Sequence, residues 1–163
     1  MEPIRNRVQE SGLIQFELSS LSRVQCEIFE ISTLLREGII VIEKEFRTKL
    51  DREDSSRFLG KGLAIIADKD LIIPDWAWML ITAKFQSAAF IIKGNLEDAK
   101  SESLRQAIEN LDVETFRDKR VIIKGCGNDG SPNDLIMLQR RLQPVVKTLM
   151  FGEACSTVPI LKN

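Results

Sequence analysis

Leu63-Ala-Ile-Ile-Ala67, followed by Pro74-Asp-Trp-Ala-Trp-Met-Leu80, decides the fold class of this chain. The first stretch is apolar at every position, so the strand it predicts is buried on both faces. The second opens on proline and runs to Gln86 without a breaker, the pattern of a helix entered at its first turn. The same couplet recurs downstream. Ala88-Ala-Phe-Ile-Ile92 precedes a helix predicted over about Leu96 to Asn110, where Asn95 and Asp98 have capping-box spacing. Val121-Ile-Ile-Lys124 precedes a helix over Pro132 to Leu142, with Ser131 as its N-cap. Val145-Val-Lys-Thr-Leu-Met-Phe151 closes the series. Apolar strands alternating with helices predict a three-layer α/β core around a parallel, flavodoxin- or Rossmann-like sheet.

Towards the N-terminus the pattern changes. Leu13-Ile-Gln-Phe-Glu-Leu18 alternates, with Ile14, Phe16 and Leu18 on one face. Val24-Gln-Cys-Glu-Ile28 alternates again after a serine-rich turn, and the two are read as a small antiparallel pair, with Cys26 facing the core. Leu35, Ile39, Ile42, Phe46 and Leu50 then recur at helical spacing and predict a helix over about Ile39 to Arg52. The expected organisation is one α/β domain over 1–163, with 1–60 as the strand pair and helix and 61–163 as the parallel core.

Composition removes whole classes of chemistry. The 163 residues include no His and no Tyr, which excludes Ser-His-Asp and Cys-His catalysis and paired-His zinc sites. Lys plus Arg number 23 against 24 acidic residues, a net charge of −1 that argues against a dedicated nucleic-acid binder. Met1-Glu-Pro-Ile-Arg-Asn-Arg7 lacks the apolar segment of a signal peptide, and Leu71–Ile73 is broken by Pro74 and Asp75, far short of a membrane span. Three cysteines make no secreted disulfide framework, so a cytoplasmic protein without membrane contact is expected.

Ligands of open parallel sheets bind beyond the carboxyl ends of the strands, where strand order reverses. Those ends are Asp68-Lys69-Asp70, Lys93-Gly94, Lys124-Gly125-Cys126 and Gly152-Glu153-Ala154-Cys155. A 2-1-3-4 strand order would put Asp68, Cys126 and Cys155 on one rim, with Asp70, Lys124, Gly125, Glu153 and Ser156 as further ligand contacts. Cys126 lies in a glycine-rich strand-to-helix loop, where Lys124 and the following helix N-terminus favour thiolate while Asp129 and Asp134 oppose it. It reads as a nucleophilic, redox or metal-binding thiol, against a small hydrophobe in a tight turn. Cys155 reads on its own as a buried thiol covering a sheet end; the two cysteines together read as a candidate metal site for zinc or iron. Position 132 is Pro, not the Arg of a phosphatase cradle, and no Walker ending is present. Trp76 and Trp78 cannot share a helix face, so one is expected in the core and the other near the surface or an interface. Arg140-Arg141 reads as a solvated helix face, and Lys124 and Lys147 stand out within apolar strands.

Pro74-Asp-Trp-Ala-Trp-Met-Leu80, Val121-Ile-Ile-Lys-Gly-Cys126, Leu142-Gln-Pro-Val-Val-Lys147 and Met150-Phe-Gly-Glu-Ala-Cys-Ser-Thr-Val-Pro159 resemble the bacterial family catalogued as domain of unknown function 2480. The resemblance covers nearly the whole chain. It implies a thiol-bearing cytosolic accessory protein whose genes neighbour those of iron–sulfur cluster assembly, and hence iron–sulfur assembly proteins as partners. It also implies a family cysteine at the position of Ala67, so a three-thiolate site is absent from this chain; Ala154 stands where the family often has Pro. Three readings follow. The first is a non-enzymatic accessory protein holding metal, sulfur or a cluster intermediate on Cys126 and Cys155. The second is a small-molecule binder or thiol enzyme using Asp68, Asp70 and Lys124 around Cys126. The third is a structural homodimer.

Overall fold

The computed structural model describes residues 12–125, 130–153 and 155–163. It is an α/β protein whose strands form two sheets, one of four strands and one of three. The chain divides into two compact units, residues 23–103 and residues 104–163 joined by the segment up to 22.

The contiguous unit carries β2 (Cys26–Glu30), β3 (Gly62–Ile66) and β4 (Phe90–Lys93). They pair in that order, all parallel, with Cys26 opposite Gly62 and Gly62 opposite Phe90. Helix α1 (Glu43–Arg52) joins β2 to β3 and α2 (Asp75–Lys84) joins β3 to β4. Acidic Glu43 and Glu45 in the first turn of α1 and basic Lys49 and Arg52 in the last complement the helix dipole. Phe46 and Leu50, one turn apart on α1, are buried beside Ala77 and Ile81 of α2, Leu63 and Ile65 of β3, and Phe58 and Phe85. Trp76 meets Phe46 edge-on at 5.5 Å, and Lys93 Nζ lies 5.4 Å from the Trp78 ring centre. Both tryptophans are half-buried against this core, sharing the role that the sequence divided between them.

The other unit carries β1 (Leu13–Phe16), β5 (Arg120–Ile123), β6 (Thr148–Glu153) and β7 (Ser156–Lys162), ordered β1-β5-β6-β7. The first three are parallel and β7 returns antiparallel, its ladder irregular between Leu149 and Met150. Pro159 is tolerated because β7 lies at the edge. Helix α4 (Pro132–Leu142) links β5 to β6 and buries Leu138 and Leu142 against Val121, Ile123 and Leu149. Helix α3 (Leu96–Glu109) spans the boundary between the units, which falls between Ser103 and Leu104.

Two expected caps form as anticipated. Ser131 and Asp134 make a reciprocal capping box at α4, with Pro132 in the first turn. Asn95 Oδ1 accepts from the Asp98 amide at 3.0 Å while Asp98 Oδ2 accepts from the Asn95 amide at 2.8 Å. No helix of the described residues is long and apolar enough to cross a membrane.

Three expectations are corrected. The N-terminal antiparallel pair does not form: β1 lies parallel to β5 and β2 parallel to β3. Alternation reports that one strand face is exposed, which holds equally for an edge strand of a parallel sheet, and both β1 and β2 are edge strands. The facing of β2 is reversed as well. Phe29 is buried, whereas Ile28 and Val24 are exposed and Cys26 is half-buried. The first helix starts at Glu43 rather than Ile39, because Arg36–Ile40 closes a tight hairpin turn with φ of 53° at Glu37 and 76° at Gly38. Successive positive φ values define the turn type that joins adjacent antiparallel segments, and no helix passes through it.

Candidate functional site

Each sheet has its own carboxyl edge, and the sequence-selected residues divide between them. β3 has only β2 and β4 as neighbours, whereas β5 and β6 are neighbours in the other sheet. The single rim expected from a 2-1-3-4 order is therefore replaced: Asp68, Asp70 and Ala67 follow β3, while Lys124, Gly125, Glu153, Cys155 and Ser156 follow β5 and β6. Neither sheet reverses its strand order, so neither contains the switch-point crevice that the sequence reading relied on.

At the carboxyl ends of β2 and β3 lies a cleft of about 490 Å³. Glu30, Ala67, Asp68 and Lys69 line one part of it, and Gly38 and Ile39 of the tight turn line another. Asp68 Oδ1 accepts the Lys69 amide at 2.9 Å, which fixes the loop as it leaves β3. Asp70 is exposed and is not among the residues lining the cleft. Glu30 and the Gly38–Ile39 turn were not selected from sequence. Their signal, an acidic strand end facing a Glu-Gly turn, depends on a pairing of β2 that the sequence reading had placed elsewhere.

On the other sheet, Lys124 follows β5 directly and its Nζ donates to Glu17 Oε1 at 2.6 Å. The Lys124 amide also donates to Phe16 O at 2.9 Å, so the pair sits at the end of the β1–β5 ladder. The hydrogen bond from Lys124, then its charge and a bond from Ser19, holds the Glu17 carboxyl below the usual carboxylate range. Lys124 is thus neutralised by a partner that sequence reasoning left on the outer face of the first strand.

Gly125 packs against the start of the β6–β7 hairpin. A Cβ built on it would lie 3.4 Å from the Phe151 ring and 3.7 Å from Gly152 Cα. The chain after β5 and the chain after β6 therefore begin from adjacent points. Cys155 lies in the two-residue connection between β6 and β7 and is exposed, not a buried cover for the sheet end. Glu153 is half-buried and Ser156 exposed. Cys126 lies outside the described residues. Cys26 is the remaining described thiol, and burial pushes its pKa up, partly offset by the charge of Lys100.

Among the described residues no group of three or more Cys, Asp or Glu side chains is arranged to hold a metal ion. Apart from Glu17, which is paired with Lys124, the donors that the described residues present at this end are one exposed thiol and the carboxylate of Glu153. A soft thiolate suits zinc or iron, and a metal held there needs further ligands from beyond the described set.

No curated protein and no solved structure shows significant similarity to the chain. The model of the family described as protein of unknown function (DUF2480) matches residues 2–163, and the chain belongs to that family.

Proposed function

We propose that this chain is a cytosolic accessory protein that accepts a soft metal ion or sulfur on Cys155 and Cys126, for delivery to iron–sulfur assembly proteins. The observation that carries the reading is the close approach of Gly125 to the Phe151 ring and the Gly152 backbone. It starts the two cysteine-bearing loops side by side, and Cys155 is exposed at the tip of its hairpin. Two thiolates leave coordination positions of zinc or iron open to solvent or to an acceptor protein, which suits transfer better than permanent storage.

The test is elemental analysis with thiol titration on protein purified without oxygen, beside Cys126→Ser and Cys155→Ser. Stoichiometric zinc or iron, lost in both variants, supports the proposal. Three free thiols without metal, and variants that match the parent, overturn it.

A second reading is favoured by the cleft at the ends of β2 and β3: a small-molecule-binding α/β protein, with Glu30 and Asp68 as the polar contacts. A three-layer architecture belongs to that reading and is supported by the parallel pairs β2–β3, β3–β4 and β5–β6, each connected through a helix. Asp68→Ala would then abolish ligand-dependent thermal shifts that Cys155→Ser leaves intact.

A further inference from the structure

We propose that the open cleft at the amino ends of β5 and β6 binds a small multivalent anion carrying phosphate or carboxylate groups, through Arg140 and Lys147 with Arg117 beside them. The cleft has a volume of about 960 Å³ and is lined by Arg117, Asp118, Arg140, Gln143, Lys147 and Asn163, among others. Arg117, Arg140 and Lys147 line it, with Asp118 beside them and the Glu114 carboxylate bonded to Arg117.

Two of these cations lack a direct partner among the described residues. The Arg140 and Lys147 side chains make no hydrogen bond or ion pair among the described residues. Arg117 is held by Glu114 through two bonds of 2.6 Å, which leaves Arg140 and Lys147 as the main attracting charges. Unpaired like charges around one depression raise each other's electrostatic energy, and an anion relieves it.

The frame beneath these side chains is fixed before any ligand arrives. The Asp118 amide donates to Val145 O at 2.8 Å, and the Lys147 amide to Lys119 O at 2.8 Å. Asn163 Nδ2 donates to Gln143 O at 2.8 Å and to Val146 O at 2.9 Å. A fixed backbone lowers the ordering cost of binding. Among the described residues no aromatic side chain lines the cleft to stack on a nucleobase. The guanidinium fork of Arg140 suits phosphate and carboxylate alike. This cleft lies at the ends of β5 and β6 opposite those that lead to Gly125 and Cys155, so the inference is independent of the thiol reading.

The test is NMR titration of the backbone amides with pyrophosphate and, separately, with citrate, in low-salt and near-physiological buffer. Saturable shifts are expected at Asp118, over 140–147 and at Asn163, weakening as salt rises. Arg140→Ala and Lys147→Ala should each lower affinity about tenfold, the scale of one lost charge-assisted contact. Asp118→Asn should raise affinity, since Asn accepts the φ of 59° at that position while removing the opposing charge. Lys44→Ala, which removes an exposed cation from α1, should leave it unchanged. A preference for one anion identifies phosphate or carboxylate as the recognised group. Absence of saturable shifts with both anions at low salt overturns the proposal, as does an equal loss in Lys44→Ala and Lys147→Ala.

Discussion

Lys124 and Glu17 form an ion pair of 2.6 Å between residues 107 positions apart, at the carboxyl ends of two paired parallel strands. The pair ties the lysine nearest Cys126 in sequence to the end of β1, so its charge is already shared with a carboxylate.

The pair fixes a pH dependence. The Glu17 carboxyl is held below its ordinary value of 4.5, chiefly by the Lys124 hydrogen bond. A carboxyl with a folded value below its unfolded one binds protons more readily when unfolded. Its contribution to stability is present above the unfolded value and lost as pH falls through the lowered one. Lys124→Met should return the Glu17 midpoint, followed by carboxyl-carbon NMR, towards 4.5. An unchanged midpoint would show that Lys124 is not the cause.

Cys155 and Cys26 should separate in thiol chemistry. Cys155 is exposed, whereas Cys26 is half-buried and its thiol is pushed up by that burial. Near neutral pH, peptide mapping after brief alkylation should find Cys155 labelled well ahead of Cys26. Lys100→Ala should slow Cys26 further, because the lysine charge favours its thiolate. Equal labelling of the two residues would contradict both statements.

Gly152→Ala should weaken the hairpin that presents Cys155. The position has φ of 124°, and a Cβ there would meet Ser156 O at 2.5 Å. Backbone strain and a backbone clash together should cost about 1–3 kcal/mol in denaturant unfolding. Amide exchange of β6 and β7 should accelerate in the same variant. Parent-like stability would mean that the hairpin relaxes without strain.

Two further substitutions test the helix ends and the core. Ser131→Ala removes the hydroxyl half of the α4 capping box, leaving the bond from the residue 131 amide to Asp134, and should cost about 1 kcal/mol. Leu63→Ala empties a fully buried position of β3 and should cost about 2–5 kcal/mol. Chemical unfolding midpoints at constant slope measure both.

What was legible in the sequence was local. Proline and serine at the start of α4, the reciprocal Asn95–Asp98 spacing and the continuous apolar runs of β3 and β5 each act within a few residues, and each appears where it was read. What was not legible was partner choice. Ile14 and Phe16 state that β1 has one buried face, but nothing within reach of them states that the neighbour is Val121 rather than Cys26. The site reading inherited that error. A single sheet places Asp68 beside the cysteines, whereas the division into two sheets assigns it to the cleft with Glu30. The β7 strand was hidden by Pro159, which argues against a central strand but is harmless at an edge.

The pairing of β1 with β5 has a temporal consequence. During synthesis the ribosome releases β1 first, then all of residues 23–103, before the strand that completes the β1 ladder exists. The contiguous unit has every one of its strands available early and can close on local contacts. The other unit must wait, its first strand held without its partner while the loop-closure entropy of the intervening segment is met. Moving β1 to follow β7 in a circularly permuted chain should therefore speed formation of the four-stranded sheet, followed by pulse-labelled amide exchange, while leaving the three-stranded sheet's own formation unchanged.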